Sequence, residues 1–175
     1  MIKRLFFGLL IFLLAGGLQA QPSFPKDWEG HWEGKLLWYK TGSDTPQEVM
    51  MQLKITAVDT LKGWTWQLVY GEAGADNRPY HLLPKDTAKG HWVIDEHNGI
   101  VLDQYLVAGI FTGAFTVQKS TIVNSYRLEG NKMTVEFYML GASPVSTTGQ
   151  GTAESPAVMS YKINGYQRAE LFRKP

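Results

Sequence analysis

The sequence contains no cysteine, which excludes a disulfide framework, a thiolate nucleophile and a thiolate metal ligand. It also lacks an excess of one charge, because 17 Lys and Arg residues stand against 16 Asp and Glu residues. The basic residues are spread along the chain and occur at most in pairs. A nucleic-acid-binding protein shows a clustered basic face, so we expect no nucleic-acid partner. Stability must come from an apolar core.

Long hydrophobic runs are missing except at the N-terminus. There, two basic residues precede the apolar stretch from Leu5 to Leu14, and the small residue Ala20 follows. This order is typical of a cleavable secretory signal, and the stretch is shorter than the roughly 20 residues of a spanning helix. We therefore expect a signal peptide over residues 1–20. The product, residues 21–175, would be secreted or periplasmic, with no membrane span after signal cleavage.

Helical periodicity is absent beyond residue 28, where apolar residues recur at every second position. Along 49–55, 64–70 and 133–139 they alternate with other side chains, which is the pattern of a strand with one buried face. Seven further segments have strand character: 32–41, 80–83, 91–96, 100–106, 111–118, 121–129 and 160–173. The chain therefore predicts about ten strands and no crossover helix.

Short turn signals separate these strands, so consecutive strands should be antiparallel neighbours. We predict an all-β fold, a single antiparallel up-and-down β-barrel of about 8–10 strands, because closure removes exposed sheet edges. A two-sheet β-sandwich is the alternative, since the same strand spacing fits it. At Asn98-Gly99, a three-residue loop that sets Ile94 opposite Leu102 is favoured over a two-residue loop, because it keeps apolar partners on one face.

The segment 141–157 departs from the strand pattern, since it is rich in Gly, Ser, Thr and Pro and has almost no large apolar side chain. Such a composition cannot bury enough surface to order itself. We expect a flexible loop there, either a connector between the last two strands or a mobile flap at a barrel mouth.

The two ends of the predicted barrel carry a resemblance to a known family. Gly30-His31-Trp32 opens the first strand, and Ala169-Glu170-Leu171-Phe172-Arg173 ends the last one. This pairing resembles the calycin superfamily, which comprises lipocalins, fatty-acid-binding proteins and nitrobindin-like barrels. The resemblance implies a lipocalin-like secreted protein that holds a small ligand inside a β-barrel.

The resemblance also implies how the barrel closes. A Gly-x-Trp in the first strand, here Gly30 and Trp32, is covered in that superfamily by a basic side chain from the end of the chain. Arg173 is then the expected partner of the Trp32 indole, and Arg168 takes its place if the strand register differs. A guanidinium over an indole face is a favourable cation–π contact.

Aromatic residues make up 13% of the chain, and several fall at inward positions of the predicted strands. Because a closed barrel of this size encloses space, we expect some of them to line a pocket for a small, largely apolar ligand. Inward aromatics equally suit a filled core. The predicted pocket wall is Trp64, Trp66, Tyr70, Tyr80, Trp92 and Phe137. Arg78 and Arg127 are the candidate polar anchors.

Recognisable catalytic motifs are absent: there is no Gly-x-Ser-x-Gly elbow, Walker loop, His-Glu-x-x-His or dinucleotide fingerprint. None of the four histidines has a histidine two residues away, as a strand-borne zinc site would show. No catalytic residue, metal site or cofactor is predicted, and a binding protein is favoured over an enzyme. Two alternatives stay open: a surface interaction or inhibitor protein using the 141–157 loop, and a barrel enzyme of lyase or isomerase type. The enzyme would need an inward carboxylate or histidine with a shifted pKa.

Two tripeptides, Asp59-Thr60-Leu61 and Asp86-Thr87-Ala88, resemble the acceptor for O-linked glycans on exported proteins of Bacteroidetes-type bacteria. Thr60 and Thr87 are therefore candidate O-glycosylation sites in surface loops.

Overall fold

A computed structural model describes residues 23–175, and the predicted signal peptide over residues 1–20 lies outside these described residues. The strands are β1 (Gly30–Lys40), β2 (Gln47–Ile55), β3 (Ala57–Val58), β4 (Gly63–Tyr70), β5 (Asp76–Asp86), β6 (His91–Asp95), β7 (Val101–Val107), β8 (Ile110–Val117), β9 (Ser120–Glu129), β10 (Lys132–Thr148) and β11 (Val158–Arg173). Short 3-10 helices cover Lys26–Trp28, Asp59–Leu61, Glu72–Gly74 and Thr87–Lys89. Each of these 3-10 helices has three residues, and residues 23–175 contain no candidate membrane-spanning helix.

The strands form one closed antiparallel sheet in which neighbours in sequence are neighbours in space. The last strand, β11, returns to β1, with Arg173 opposite Trp32. Because β3 has only two residues, β2 also pairs directly with β4, and Leu53 lies opposite Leu68. Ten strands therefore close into an up-and-down barrel. The prediction of an all-β barrel is confirmed, and the β-sandwich alternative is wrong because the sheet closes on itself.

The strand pattern follows the alternation in the sequence. In β9, for example, Asn124, Tyr126 and Leu128 are buried while the residues between them are more exposed. The hairpin at Asn98-Gly99 has Ile94 opposite Leu102, with Asp95 opposite Val101. The predicted three-residue loop is thus confirmed, and it places apolar partners on the interior face of the barrel.

The barrel has two different ends. We call the end where β1 begins and β11 finishes the lower end, and the opposite end, from which the β10–β11 hairpin projects, the upper end. The lower part is filled by large buried side chains: Trp28, Trp32, Leu82, Trp92, Phe111, Leu128, Met133 and Leu171. Phe24, from the segment before β1, stacks on Phe111 with ring centroids 4.7 Å apart and meets Trp92 edge-on at 5.0 Å. The N-terminal segment therefore plugs the lower end.

The segment 141–157 differs from its prediction. Residues 141–148 continue β10 and pair with β11, so the loop itself is confined to 149–157. The pairing of β10 with β11 is made by backbone hydrogen bonds, which Ser and Thr side chains do not prevent. Shifts in register between the two strands accommodate the residues that do not fit a regular ladder. Beyond the last partners in β9 and β1, these strands form a two-stranded extension, which we call the arm (residues 142–164). Its exposed apolar side chains are Val145, Val158, Met159, Tyr161 and Ile163.

Candidate ligand-binding site

The upper part of the barrel encloses a cavity of about 770 Å³. It reaches from Tyr126, which is 2% exposed and lies deep in the barrel, to Ile100 and Val117 at the upper end, which are each 44% exposed. Most of its wall is apolar or aromatic, including Leu36, Val49, Leu68, Ile94, Leu102, Phe115, Ile122 and Phe137. Cavities of roughly 300–1,000 Å³ with such walls typically hold small molecules.

The predicted pocket residues divide between the cavity and the filled lower part. Tyr70, Arg78, Tyr80 and Phe137 line the cavity. The three predicted tryptophans do not line it. Trp64 packs edge-on against Trp92 at 6.0 Å and donates a hydrogen bond to Glu29, while Trp66 packs on Phe111 and Tyr126 directly below the cavity. The alternation of side chains along each strand correctly places them inside the barrel. That alternation does not tell how high along the barrel axis a side chain lies.

The prediction of Arg127 as a polar anchor is corrected by the structure. Arg127 alternates with the buried Tyr126 and Leu128, so its side chain points outward; it is exposed and lies 3.9 Å from Glu129. An outward position on a barrel strand cannot reach the interior, because side chains alternate strictly between the two faces. Arg127 therefore makes a surface ion pair.

Arg78 lines the cavity near its upper end, and a neighbouring carboxylate neutralises it. Its Nη2 lies 2.6 Å and its Nε 3.0 Å from the two Asp76 carboxylate oxygens, while the guanidinium stands 5.0 Å from the Tyr70 ring centroid. The hydrogen bond from Arg78 lowers the pKa of Asp76 and the same contact raises the pKa of Arg78, so the pair stays charged and mutually satisfied. The cation is thus already paired at the cavity wall.

Two cavity tyrosines resist ionisation. Burial raises the pKa of Tyr70 to about 12, against the opposing effect of Arg78. Burial also raises the pKa of Tyr126 well above its usual range. Both phenols are neutral near physiological pH, so they offer hydrogen-bonding hydroxyls and aromatic faces in place of charge.

Two buried amide side chains on the cavity wall are not among the residues predicted from the sequence. Gln104 in β7 is 0% exposed, Asn124 in β9 is 3% exposed, and both line the cavity. Asn124 Nδ2 donates to Gln104 Oε1 at 2.9 Å. A signal was present in the sequence, because each amide occupies an inward position between apolar neighbours: Leu102 and Leu106 flank Gln104, and Ile122 and Tyr126 flank Asn124.

Gly113 in β8, the strand between them, allows this amide pair to form. Gly113 lies opposite Asn124, and a Cβ at position 113 would come 2.4 Å from Gln104 Nε2. The Gln104 side chain therefore crosses the bare backbone of Gly113 to reach Asn124. Phe111 and Phe115 lie on the same interior face of β8 as Gly113. The glycine between them leaves the space that the side chain of Gln104, from the neighbouring strand β7, occupies.

The residues predicted to close the barrel meet at the lower end. Arg173 stands 4.5 Å from the Trp32 ring centroid and donates to Asp27 O at 2.7 Å, while Trp32 Nε1 donates to Trp28 O at 2.9 Å. Gly30, with φ of +141°, passes beneath Arg173, whose side chain would be 3.6 Å from a Cβ there. The structure does not bring Arg168 to the indole; it is exposed and pairs with Glu170 at 2.9 Å.

The two candidate glycosylation residues are both exposed. Thr60 lies in the 3-10 helix Asp59–Leu61 and Thr87 begins the 3-10 helix Thr87–Lys89. Both helices connect strands at the lower end of the barrel. Their modification stays a prediction.

Acid–base groups are sparse around the cavity. Among the described residues that line it, the only carboxylate is that of Glu96, at the turn after β6, and none is a histidine. Across residues 23–175, no three His, Asp or Glu side chains cluster closely enough to hold a metal ion. The polar groups that the cavity wall presents in its deeper part are amides and phenols.

Comparison with known proteins gives a fold likeness. No protein-family model matches the chain, and no curated protein matches it. A solved structure with a similar fold is that of a protein of unknown function from the DUF3598 family of Nostoc punctiforme PCC 73102. The two chains are 12% identical with a TM-score of 0.61, and the match covers 85% of this chain and 48% of the other. This chain thus spans about half the length of that protein, and the likeness concerns the fold alone.

Proposed function

We propose that this protein is exported and binds a small, largely apolar molecule inside the upper part of its barrel. One observation carries the proposal: the barrel is packed below and open above, so a cavity of about 770 Å³ with an apolar wall stands on a rigid aromatic floor. A protein selected only for stability would fill this space, since cavities cost free energy in proportion to their volume. The cavity lining favours binding over catalysis, because it offers little acid–base chemistry.

The ends of the chain support a lipocalin-like assignment within the calycin superfamily. The contact between Arg173 and Trp32 matches the barrel closure that the resemblance implies. The basic, apolar and small-residue order of residues 1–20 supports export, to the periplasm or the medium.

A binding assay with a hydrocarbon fluorophore tests the proposal. Diphenylhexatriene has no hydrogen-bonding group, so its fluorescence reports entry into an apolar site alone. We expect saturable binding at one site per protein, and we expect Leu102→Trp to weaken it by at least about tenfold, because the indole would occupy the cavity. Val101→Trp is the matched control, since Val101 immediately precedes Leu102 in β7 and is 54% exposed on the outer face.

Two results would contradict the proposal. Absence of saturable fluorophore binding to the folded wild-type protein is one. Equal weakening by Leu102→Trp and Val101→Trp is the other, because it would place the fluorophore outside the cavity.

A second candidate function is a surface interaction with another protein through the arm. The apolar side chains that the arm exposes are unusual for a two-stranded hairpin that no other strand of residues 23–175 covers, and they favour this second function. Replacing residues 144–161 by an Asn-Gly turn separates the two functions. If the protein works by binding a ligand in the cavity, the variant keeps its affinity for diphenylhexatriene and its function. If it works through the arm, the variant still binds diphenylhexatriene but no longer binds its protein partner.

A further inference from the structure

The cavity wall carries a specific hydrogen-bonding site in addition to its apolar surface. Gln104, Gly113 and Asn124 belong to three neighbouring strands, β7, β8 and β9, and the two amides are bonded to each other across the glycine. Directly below them along β9 is Tyr126, so the pair stands in the deep part of the cavity. Apart from tyrosine and tryptophan, Gln104 and Asn124 are also the two buried polar side chains of the described residues.

The amide pair is only half satisfied. Gln104 Nε2 and Asn124 Oδ1 have no hydrogen-bond partner among the described residues. Each amide group has both a donor and an acceptor end, so a single bond between two amides always leaves one free NH₂ and one free C=O, whichever way each amide is turned. The amide pair therefore offers one donor from β7 and one acceptor from β9, on either side of β8. Trp38 Nε1, on the same cavity lining, is a further buried donor without a partner among the described residues. Buried polar groups without partners are unfavourable, and a ligand that satisfies both amide groups gains from them.

The charge of the surroundings restricts the head group of such a ligand. The cationic side chain of the lining, Arg78, is held by Asp76 near the upper end. The lining carboxylate, that of Glu96, is also placed near the upper end, in the β6–β7 turn. Arg78 is close enough to act on the Tyr126 phenol, but its guanidinium is already bonded to Asp76, so an anionic head group would have to compete with that carboxylate. Among the described lining residues, Glu96 at the upper end is the one carboxylate that an ammonium group could meet.

We infer that the ligand carries a neutral group with a donor and an acceptor side by side, as in a carboxamide, lactam or imide, and that this group pairs with Gln104 and Asn124. The ligand carbonyl accepts from the Gln104 amide and the ligand N–H donates to the Asn124 carbonyl. The remainder of the ligand is apolar and extends upward along Leu102 and Phe137. This inference rests on the proposed function and specifies the ligand class for the same cavity.

Three probes with one chain length test it: decanamide, methyl decanoate and sodium decanoate, each displacing diphenylhexatriene at pH 7. They present a donor with an acceptor, an acceptor alone and an anion, respectively. We expect decanamide to bind at least about tenfold more tightly than either of the others, because only the amide satisfies both buried groups.

The double variant Gln104→Met, Asn124→Leu removes the hydrogen-bonding site with little change in volume. We expect it to fold, since replacing both partners by apolar groups of similar shape is close to neutral. It should retain its affinity for diphenylhexatriene within about threefold, while the preference for decanamide over methyl decanoate falls to within about threefold. A merely structural amide pair would change thermal stability in this variant and leave the selectivity among the probes unaltered.

The outcomes separate this inference from the proposed function. If diphenylhexatriene binds but decanamide and methyl decanoate displace it equally, the head-group assignment is wrong and the apolar cavity stands. If decanoate displaces it best at pH 7, the site prefers an anion and the assignment is again wrong. If the fluorophore itself does not bind, the proposed function fails and the inference fails with it.

Discussion

The two halves of the barrel are built from the same strands and yet differ in their interiors. Below, Phe24, Trp28 and Trp32 pack with Trp92 and Phe111 into a continuous aromatic core. Above, inward side chains such as Leu102, Phe115 and Phe137 stand around a cavity. The lower end is filled both by Phe24 and Trp28 of the N-terminal segment and by large strand residues such as Trp92 and Phe111.

Under the proposed function, stability and ligand binding belong to different ends of one sheet. The filled end holds the barrel closed, through the core and through Arg173 over Trp32. The open end contains the amide pair, the neutral phenols and the apolar wall, whose side chains are free to contact a ligand. Such a separation lets the binding residues be imperfectly packed while the fold remains stable.

The largest expected effect compares two phenylalanines on β8. Phe111→Ala should lower the free energy of unfolding by about 3–5 kcal/mol, because Phe111 is fully buried against three other rings. Phe115→Ala, four residues further along the same face, should cost only about 1 kcal/mol because it borders the cavity. Urea unfolding of both variants measures the difference, and equal costs would contradict the division of the interior into two halves.

The next effect concerns high pH. Burial raises the pKa of Tyr70 to about 12, whereas an unfolded tyrosine ionises near pH 10. Between these values the unfolded state has lost a proton that the folded state keeps, so stability falls as pH rises through this window, by about 3 kcal/mol for this residue. Unfolding measured from pH 9 to pH 12 should show the loss.

Matched variants identify the source of that loss. Tyr70→Phe should make the decline in stability with pH shallower. Val107→Ala should leave that decline unchanged, since it removes no ionisable group and Val107 is 57% exposed on the outside of the barrel. An unchanged slope in Tyr70→Phe would show that the upper half surrounds Tyr70 with bulk water and is not the apolar cavity described above.

The smallest effect tests closure at the lower end. Arg173→Gln should lower stability by about 1 kcal/mol, because it removes a cation–π contact with Trp32 at an exposed site. Arg168→Gln should change stability by less than about 0.5 kcal/mol, since its ion pair with Glu170 is on the surface. Thermal unfolding of the two variants compares them, and a larger loss from Arg168→Gln would reverse the assignment.

Much of the fold could be predicted because strand alternation is a local property. The register at Ile94 and Leu102 follows from alternation combined with turn chemistry. The arm could not be predicted in this way. In residues 141–148, backbone pairing with the next strand outweighs a composition that favours a loop.

The site was harder to predict, since its position depends on height along the barrel. Alternation places Trp66 and Phe137 on the interior face alike, but Trp66 packs on Phe111 and Tyr126 below the cavity whereas Phe137 lines it. Predicting the amide pair from the sequence would also require the register between strands. Gln104, Gly113 and Asn124 become one feature only when β7, β8 and β9 are laid side by side in register.

The most direct test of the account is a crystal structure of the protein with 1-bromodecane, whose bromine gives an anomalous peak. The account predicts a peak inside the upper half of the barrel, between Leu102 and Phe137 and above Tyr126, with the lower core unchanged. A bromine located only on the arm or the outer surface, with the upper half filled by the protein's own side chains, would contradict it.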